Sequence, residues 1–242
     1  MKIGIIIQAR TGSSRLPNKI FLQLPYCSGV SVLEQIVKRS FAVDGVDEII
    51  IATTTGKRDD SVMKLSQKLN IKCFRGSDAD VLSRYYWVAK RLFLDTVIRL
   101  TGDNPFIDPE LVGSVLKSHI KRNNDYTMTI GYPLGMNVEV ISFNSLKMAF
   151  EEASSGHDRE HVTSYVYGNP DKFNIVKIKA LKKHHAPDIR LTLDTEEDYA
   201  LLCFIYDHFA KNNRFSISDL ILLFKEKPWL KLINKKVIQK SR

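Results

Sequence analysis

"IIIQARTGSSRLPNK", residues 5–19, begins as a run of isoleucines and ends in a glycine, two serines, two arginines and a lysine that no core would hold. A short continuous apolar run bounded by turn residues reads as a strand buried on both faces, the mark of a parallel sheet with helices above and below. In open sheets of that kind, ligands bind outside the carboxyl ends of the strands. The polar half of the stretch therefore lies where a site is expected.

Outward from this strand the same alternation repeats. Apolar runs at Ile3–Ile7, Glu48–Thr53, Ile71–Phe74, Thr96–Leu100, Tyr126–Ile130, Val138–Ile141, Phe173–Ile178 and Ile189–Leu193 read as strands. Helical periods separate many of them. Ser31-Val-Leu-Glu34 is a capping box ahead of Leu33, Ile36 and Val37 on one face. A second helix starts at Asp59 or Asp60 and buries Val62, Leu65 and Leu69. A third runs from about Asp80 and buries Val81, Tyr85, Val88 and Leu92. Asp108-Pro109 announces a fourth, with a cap followed by proline in the first turn. Trp87, Phe93, Tyr199 and Phe204 stand at helical spacing and are expected in the core. Strand, helix, strand means an α/β fold, a mostly parallel mixed sheet with helices on both faces. The chain is expected to be one domain over 1–242. Strands crowd together over about 126–185, an inserted or antiparallel part, and a basic helical tail covers 216–242.

The loops after the strands are polar, rich in glycine and charged in both signs. They include Gln8-Ala9-Arg10-Thr11-Gly12-Ser13, Thr53-Thr54-Thr55-Gly56, Arg75-Gly76-Ser77-Asp78-Ala79-Asp80, Thr101-Gly102-Asp103-Asn104 and Asp194-Thr195-Glu196. That mixture suits a nucleoside triphosphate with a divalent metal. A Gly-Ser-Ser turn brings backbone N–H groups to phosphate oxygens, and Arg10, Arg15 and Lys19 add positive charge, arginine in a two-pronged grip. The loop is neither a Walker A loop nor a dinucleotide fingerprint, because both glycine spacings are absent. Mg²⁺ takes one or two carboxylates together with phosphate oxygens and water. Asp103, just past a buried strand, is the best carboxylate, although Asp-Asn-Pro is also a turn. Asp194 ends another apolar run and could equally cap the helix that follows. Asp198, four residues on, reads as surface or capping.

The net charge of +9 is uneven. Lys225, Lys227, Lys231, Lys235, Lys236, Lys240 and Arg242 crowd the last residues, and Lys177, Lys179, Lys182 and Lys183 form a second cluster. No aromatic residues interleave with them as on a single-strand binding platform, so solvated surface is the first reading and no specific nucleic acid is expected. No apolar run reaches the ~18 residues of a membrane span. The start lacks a signal-peptide layout, and the three cysteines are too scattered for a disulfide framework. A cytoplasmic location is the expectation.

The stretch at 6–19 resembles the N-terminal signature of the cytidylyltransferases that activate acidic sugars, closest to their SpsF-like, spore-coat polysaccharide branch. "FRGSDADVLSRYYWVAK" (74–90), "VIRLTGDNPFIDPELV" (97–112), "REHVTSYVYGNP" (159–170) and "DIRLTLDTEEDY" (188–199) resemble further blocks of that branch in the same order. The resemblance implies a Rossmann-like nucleotidyltransferase fold, similar to that of GT-A glycosyltransferases. It also implies attack of an acceptor oxygen on the α-phosphate of CTP, loss of pyrophosphate, a requirement for Mg²⁺ and a homodimer joined through the later part of the chain. It gives Arg10, Lys19 and Asp103 catalytic roles and makes Asp103 and Asp194 the metal ligands. It gives Gln8, Ala9, Thr11, Gly12, Ser13 and Arg15 to the nucleotide, Ala52 and Thr53 to its cytosine and ribose, and Arg75, Gly76, Ser77 and Asp80 to a further nucleotide turn. It leaves Asn104, Asn137, Glu139, His161 and Arg190 for an anionic acceptor. Members of the branch often carry an arginine where Leu134 stands and an aspartate where Asn137 stands, so the acceptor here can differ from theirs.

Other classes compete. Asp78-x-Asp80 is formally the D-x-D of a metal-dependent glycosyltransferase, though a helical period begins at Val81 and makes Asp80 a cap. A cytidylyltransferase acting on a phosphorylated or non-sugar acceptor would share every feature above. The basic surface would also suit a nucleic-acid binder, whose affinity should fall steeply with salt.

Overall fold

The computed structural model describes residues 1–210 and 215–239. Seven strands form one sheet: β1 (Ile3–Gln8), β2 (Glu48–Thr54), β3 (Lys72–Gly76), β4 (Thr96–Thr101), β5 (Tyr126–Ile130), β6 (Glu139–Ser142) and β7 (Ile175–Lys179), in the order β3-β2-β1-β4-β6-β5-β7. β1 pairs in parallel with β2 and β4, β2 with β3, and β5 with β7. Only β6 runs antiparallel to its neighbours. Gln8 lies level with Ala52 and Thr101, so the first and fourth strands end together and the second runs two residues further.

Helices cover both faces, as the apolar periods require. Ile3, Ile5 and Ile7 pack with α1 (Val32–Ser40), α2 (Asp60–Lys68), α4 (Pro109–Lys121), α8 (Glu196–Phe209) and α9 (Ile217–Glu226). Ile6 faces the other side, with α3 (Val81–Leu92) and α5 (Phe143–Glu152). The capping box at Ser31 and Glu34 is present, Asp80 caps α3 through Ser83 N, and Asp108 caps α4. The short helices α6 (Gly156–His161), α7 (Ser164–Gly168) and α10 (Leu230–Ile233) complete the set. Among the described residues no helix is long and apolar enough to cross a membrane.

Three expectations fail. Ile189–Leu193 is extended but is no strand of the sheet; it makes one parallel bridge, Arg190 to Leu134. Its alternate residues Ile189, Leu191 and Leu193 are buried, which produces the strand pattern without a strand partner. Phe93 and Trp87 are not core: Phe93 ends α3 in the left-handed region and is 83% exposed, and Trp87 is 39% exposed. Asp198 is fully buried rather than on the surface, and Thr195, not Asp194, is the N-cap of α8. In the basic tail, Lys225, Lys235 and Lys236 are exposed, while Lys240 and Arg242 lie outside the described residues.

Candidate active site

The loops after β1, β4 and β5 surround a cleft of about 360 Å³ at the carboxyl ends of the parallel strands. The stray segment 189–193 explains what meets there. Leu193 N donates to Asp103 O at 2.8 Å, and this bond lays Asp194 beside the loop that follows β4. Lys19, on a short helical turn at the end of the opening loop, then reaches both carboxylates. Its Nζ lies 3.0 Å from Asp103 Oδ2 and 2.8 Å from Asp194 Oδ1, and it also donates to Leu193 O at 2.7 Å. Arg15 holds the other oxygen of Asp194 at 2.9 Å, and Arg190 holds it at 2.8 Å.

The electrostatics follow from this packing. Burial disfavours the Lys19 ammonium, but Asp103 and Asp194 outweigh it and raise its pKa above the ordinary 10.5. Burial likewise opposes ionisation of Asp194, yet Lys19, Arg15 and Arg190 hold its pKa below 3.8. Lys19 is therefore a fixed cation at neutral pH and Asp194 a fixed anion. Behind them Asp198 accepts from Arg190, from the Asp194 and Thr195 backbone, and from Asn234 of the C-terminal segment, which orients Arg190 and through it Asp194.

Of the sequence candidates, Gln8, Ala9, Arg10, Gly12, Ser13, Arg15, Lys19, Asp103, Asn104, His161 and Asp194 line this cleft. Asn137 and Glu139 line a small adjoining pocket that shares Arg99, Thr101 and Asn104 with it. Val162, which follows His161, is β-branched yet has φ 51, a strained turn beside the cleft. The others stand apart. Ala52 and Thr53 are buried in the sheet. Arg75 clamps the loop after β2 through Thr54 O, Gly56 O and Asp60. Gly76 lies under the Arg84 side chain, and Ser77 and Asp80 serve the turn into α3. Thr11 turns away from the cleft onto Asp59. Arg190 is committed to Asp194 and Asp198. Asp78 pairs with Arg10 and Arg58, and Asp80 with Arg159, so both acids of the D-x-D are engaged.

Three cleft-lining groups are buried with no hydrogen-bond partner: Gln8 Oε1, Asn104 Oδ1 and Arg99 Nε. Buried polar atoms rarely stay unpaired, so these are groups for a ligand or water to satisfy. Arg99 was missed in the sequence, although a lone arginine inside "VIRLT" was a signal. It pairs with Glu139 at 3.0 Å, and Thr163 donates to the same carboxylate oxygen at 2.9 Å.

The cytidylyltransferase family model matches residues 4–223. The chain belongs to the cytidylyltransferase family. It is 39% identical over 241 residues to the uncharacterized protein MJ1063 of Methanocaldococcus jannaschii, covering 100% of this chain and 98% of that one. It is 36% identical over 228 residues to the spore coat polysaccharide biosynthesis protein SpsF of Bacillus subtilis, covering 93% and 95%. The solved structure of a cytidylyltransferase from Leptospira borgpetersenii superposes with a TM-score of 0.90 at 29% identity, over 99% of this chain and 100% of that one. The fold is thus the Rossmann-like fold of a nucleotidyltransferase enzyme, as the opening stretch implied.

Proposed function

We propose that this cytidylyltransferase transfers CMP from CTP to an anionic acceptor, an acidic sugar, with release of pyrophosphate, in the building of a surface glycan. The observation that carries the reading is the Lys19 ammonium held between Asp103 and Asp194 at the mouth of the Gly12-Ser13 loop. The relationship to SpsF supports the glycan setting.

Mg²⁺ fits these residues. Two carboxylate oxygens from separate loops already converge on one cationic nitrogen, which stands in for a metal ion. Among the described residues no group of three or more potential metal-binding side chains comes together. Asp103 and Asp194 would therefore hold the ion with phosphate oxygens and water, the usual arrangement for Mg²⁺. Bound there, Mg²⁺ would neutralise charge on the α-phosphate and the leaving pyrophosphate.

The chain's own residues do the rest. Lys19 stays protonated, so it donates to phosphate and takes no proton. Arg10, Arg15 and the loop N–H groups hold the triphosphate. Asn104, Asn137, Glu139, His161 and Arg99 face the acceptor, whose oxygen attacks the α-phosphorus. Neither acid of the D-x-D lines the cleft, and Asp80 caps α3 through Ser83 N, which disfavours the glycosyltransferase reading.

The experiment is pyrophosphate release from each nucleoside triphosphate with Mg²⁺ and a panel of acidic sugars. CTP should lead, and Asp103→Asn should cut turnover by about 10²–10³, the loss typical of removing one transition-state charge partner. UTP or ATP ranking clearly above CTP would sink the substrate assignment, and near-wild-type turnover in Asp103→Asn would sink the role of that carboxylate.

A further inference from the structure

The opening loop has a neighbour that its sequence does not announce. Arg10, on the cleft wall, pairs through Nη1 with Asp78 Oδ1 at 2.9 Å, and Arg58 pairs through Nη2 with the other oxygen, Asp78 Oδ2. One carboxylate thus sits between two guanidinium groups, one on each oxygen, the way arginines grip a phosphate.

The Arg58 side chain lies against the loop. A Cβ added to Gly12 would meet its Cζ at 2.8 Å and its two Nη atoms at 2.9 and 3.0 Å. Glycine is what lets the guanidinium rest there. Nor is this placement left to an exposed side chain alone. The next residue, Asp59, is fully buried and accepts from Thr11 N at 2.8 Å and Thr11 Oγ1 at 2.7 Å, with Thr54 Oγ1 on its other oxygen. These bonds staple the turn Lys57–Asp59 to the opening loop. Arg75 braces the same turn through Gly56 O at 2.8 Å. Arg58 is therefore carried by a fixed support, while Asp78, half exposed on the loop before α3, is the removable member.

We propose that Arg10 and Arg58 form a clamp for the two phosphates that leave as pyrophosphate, and that Asp78 is a built-in counter-anion filling the clamp until phosphate displaces it. The proposal rests on the CTP reading above and adds to it a residue, Arg58, and a sign. Phosphate carries more charge and more acceptor oxygens than a carboxylate, so it wins the exchange, but it must first compete with Asp78. Neutralising an acidic residue is then a way to tighten ligand binding at this clamp.

The test is calorimetric titration of pyrophosphate, in EDTA so that no divalent cation intervenes, into wild type, Asp78→Asn and Arg58→Ala, with CMP titrated into the same three proteins and CTP into wild type. Asp78→Asn should bind pyrophosphate about two- to fivefold more tightly, the range an exposed ion pair commands. Arg58→Ala should bind it about tenfold more weakly, as befits a lost charge-assisted hydrogen bond. CMP, which lacks the two leaving phosphates, should be unaffected by either change. A wild type that binds CTP, with pyrophosphate affinity indifferent to both substitutions or with CMP affinity shifted equally, overturns the clamp and leaves the CTP reading standing. A wild type that binds neither pyrophosphate nor CTP overturns both.

Discussion

Asp198→Asn removes a charge from a place where no rotation of the new amide can help. Oδ1 accepts from Arg190 Nε at 2.8 Å and from Asn234 Nδ2 at 2.9 Å. Oδ2 accepts from Arg190 Nη2 at 3.0 Å, Asp194 N at 2.9 Å and Thr195 N at 3.2 Å. Whichever way the asparagine turns, its NH₂ faces donors, and Arg190 keeps only one of its two buried carboxylate partners, Asp194. Breaking a buried ion pair costs about 3–5 kcal/mol, with each stranded donor accounting for roughly 1–3 of that. In a chain of this size 1 kcal/mol moves the melting temperature by about 2–4 °C, so Asp198→Asn should melt about 6–20 °C below wild type. Thermal unfolding followed by far-ultraviolet circular dichroism measures it. Asn234→Ala, which removes one of the donors and leaves the charge paired, should cost much less. A variant within about 2 °C of wild type would refute the argument that Asp198 is the anchor of the Arg190–Asp194 pair.

Two further outcomes are expected. His119 is buried with Nδ1 2.9 Å from Thr127 Oγ1, and Asn124 donates to that hydroxyl, which leaves the hydroxyl proton for the ring. Burial brings the His119 pKa from 6.5 down to about 4; the unfolded chain therefore takes up this proton first, and the stability involved is complete above pH 6.5 and lost as pH falls toward 4. The urea midpoint of wild type should decline across that window and that of His119→Gln should decline less; parallel curves would contradict it. Gly135→Ala meets two obstacles, a φ of +99° and contacts at 2.9 Å with the Leu191 carbonyl and Thr192 N, all backbone. It should lose at least about 1–3 kcal/mol in denaturant titration, and a loss below about 0.5 kcal/mol would show that the loop beside the cleft yields easily.

Most of the sheet was legible because burial on both faces leaves no choice of residue: "IIII"-like runs at 3–7 and 48–53 have one physical solution. The rim was legible for a related reason, since polar and glycine-rich residues directly after such runs must lie at a strand end. What misled was periodicity read as pairing. Ile189, Leu191 and Leu193 alternate because one side of the segment packs into the core and the other faces the cleft, yet its partners are the backbone at Leu134 and Asp103. Helical spacing likewise put Phe93 in the core, although α3 ends at the residue before it. Asp59 was hidden by a plausible alternative: an acid at a helix start reads as a cap, but it makes no capping bond and holds Thr11 instead. Arg58 and Arg99 were hidden because their partners, Asp78 and Glu139, lie 20 and 40 residues away in sequence. No local pattern encodes such a distance.

The charge distribution turns on the same pairings. A chain of net charge +9 invites the idea that a basic cleft attracts the anion. The cleft is not where the surplus sits. Arg10 is matched by Asp78, Arg15 by Asp194, Lys19 by Asp103 and Asp194, and Arg99 by Glu139. The unmatched excess lies elsewhere: Lys177 and Lys179 stand exposed on the edge strand β7, where charge discourages edge-to-edge pairing, and Lys225, Lys235 and Lys236 stand exposed near the C-terminus. On the proposed reading, anion binding at the cleft is an exchange, internal carboxylates giving up their cations to phosphate. Such an exchange favours a ligand with several acceptor oxygens at the right spacing over any diffuse polyanion. A cleft built this way holds its cations in position beforehand, because each is already paired with a carboxylate.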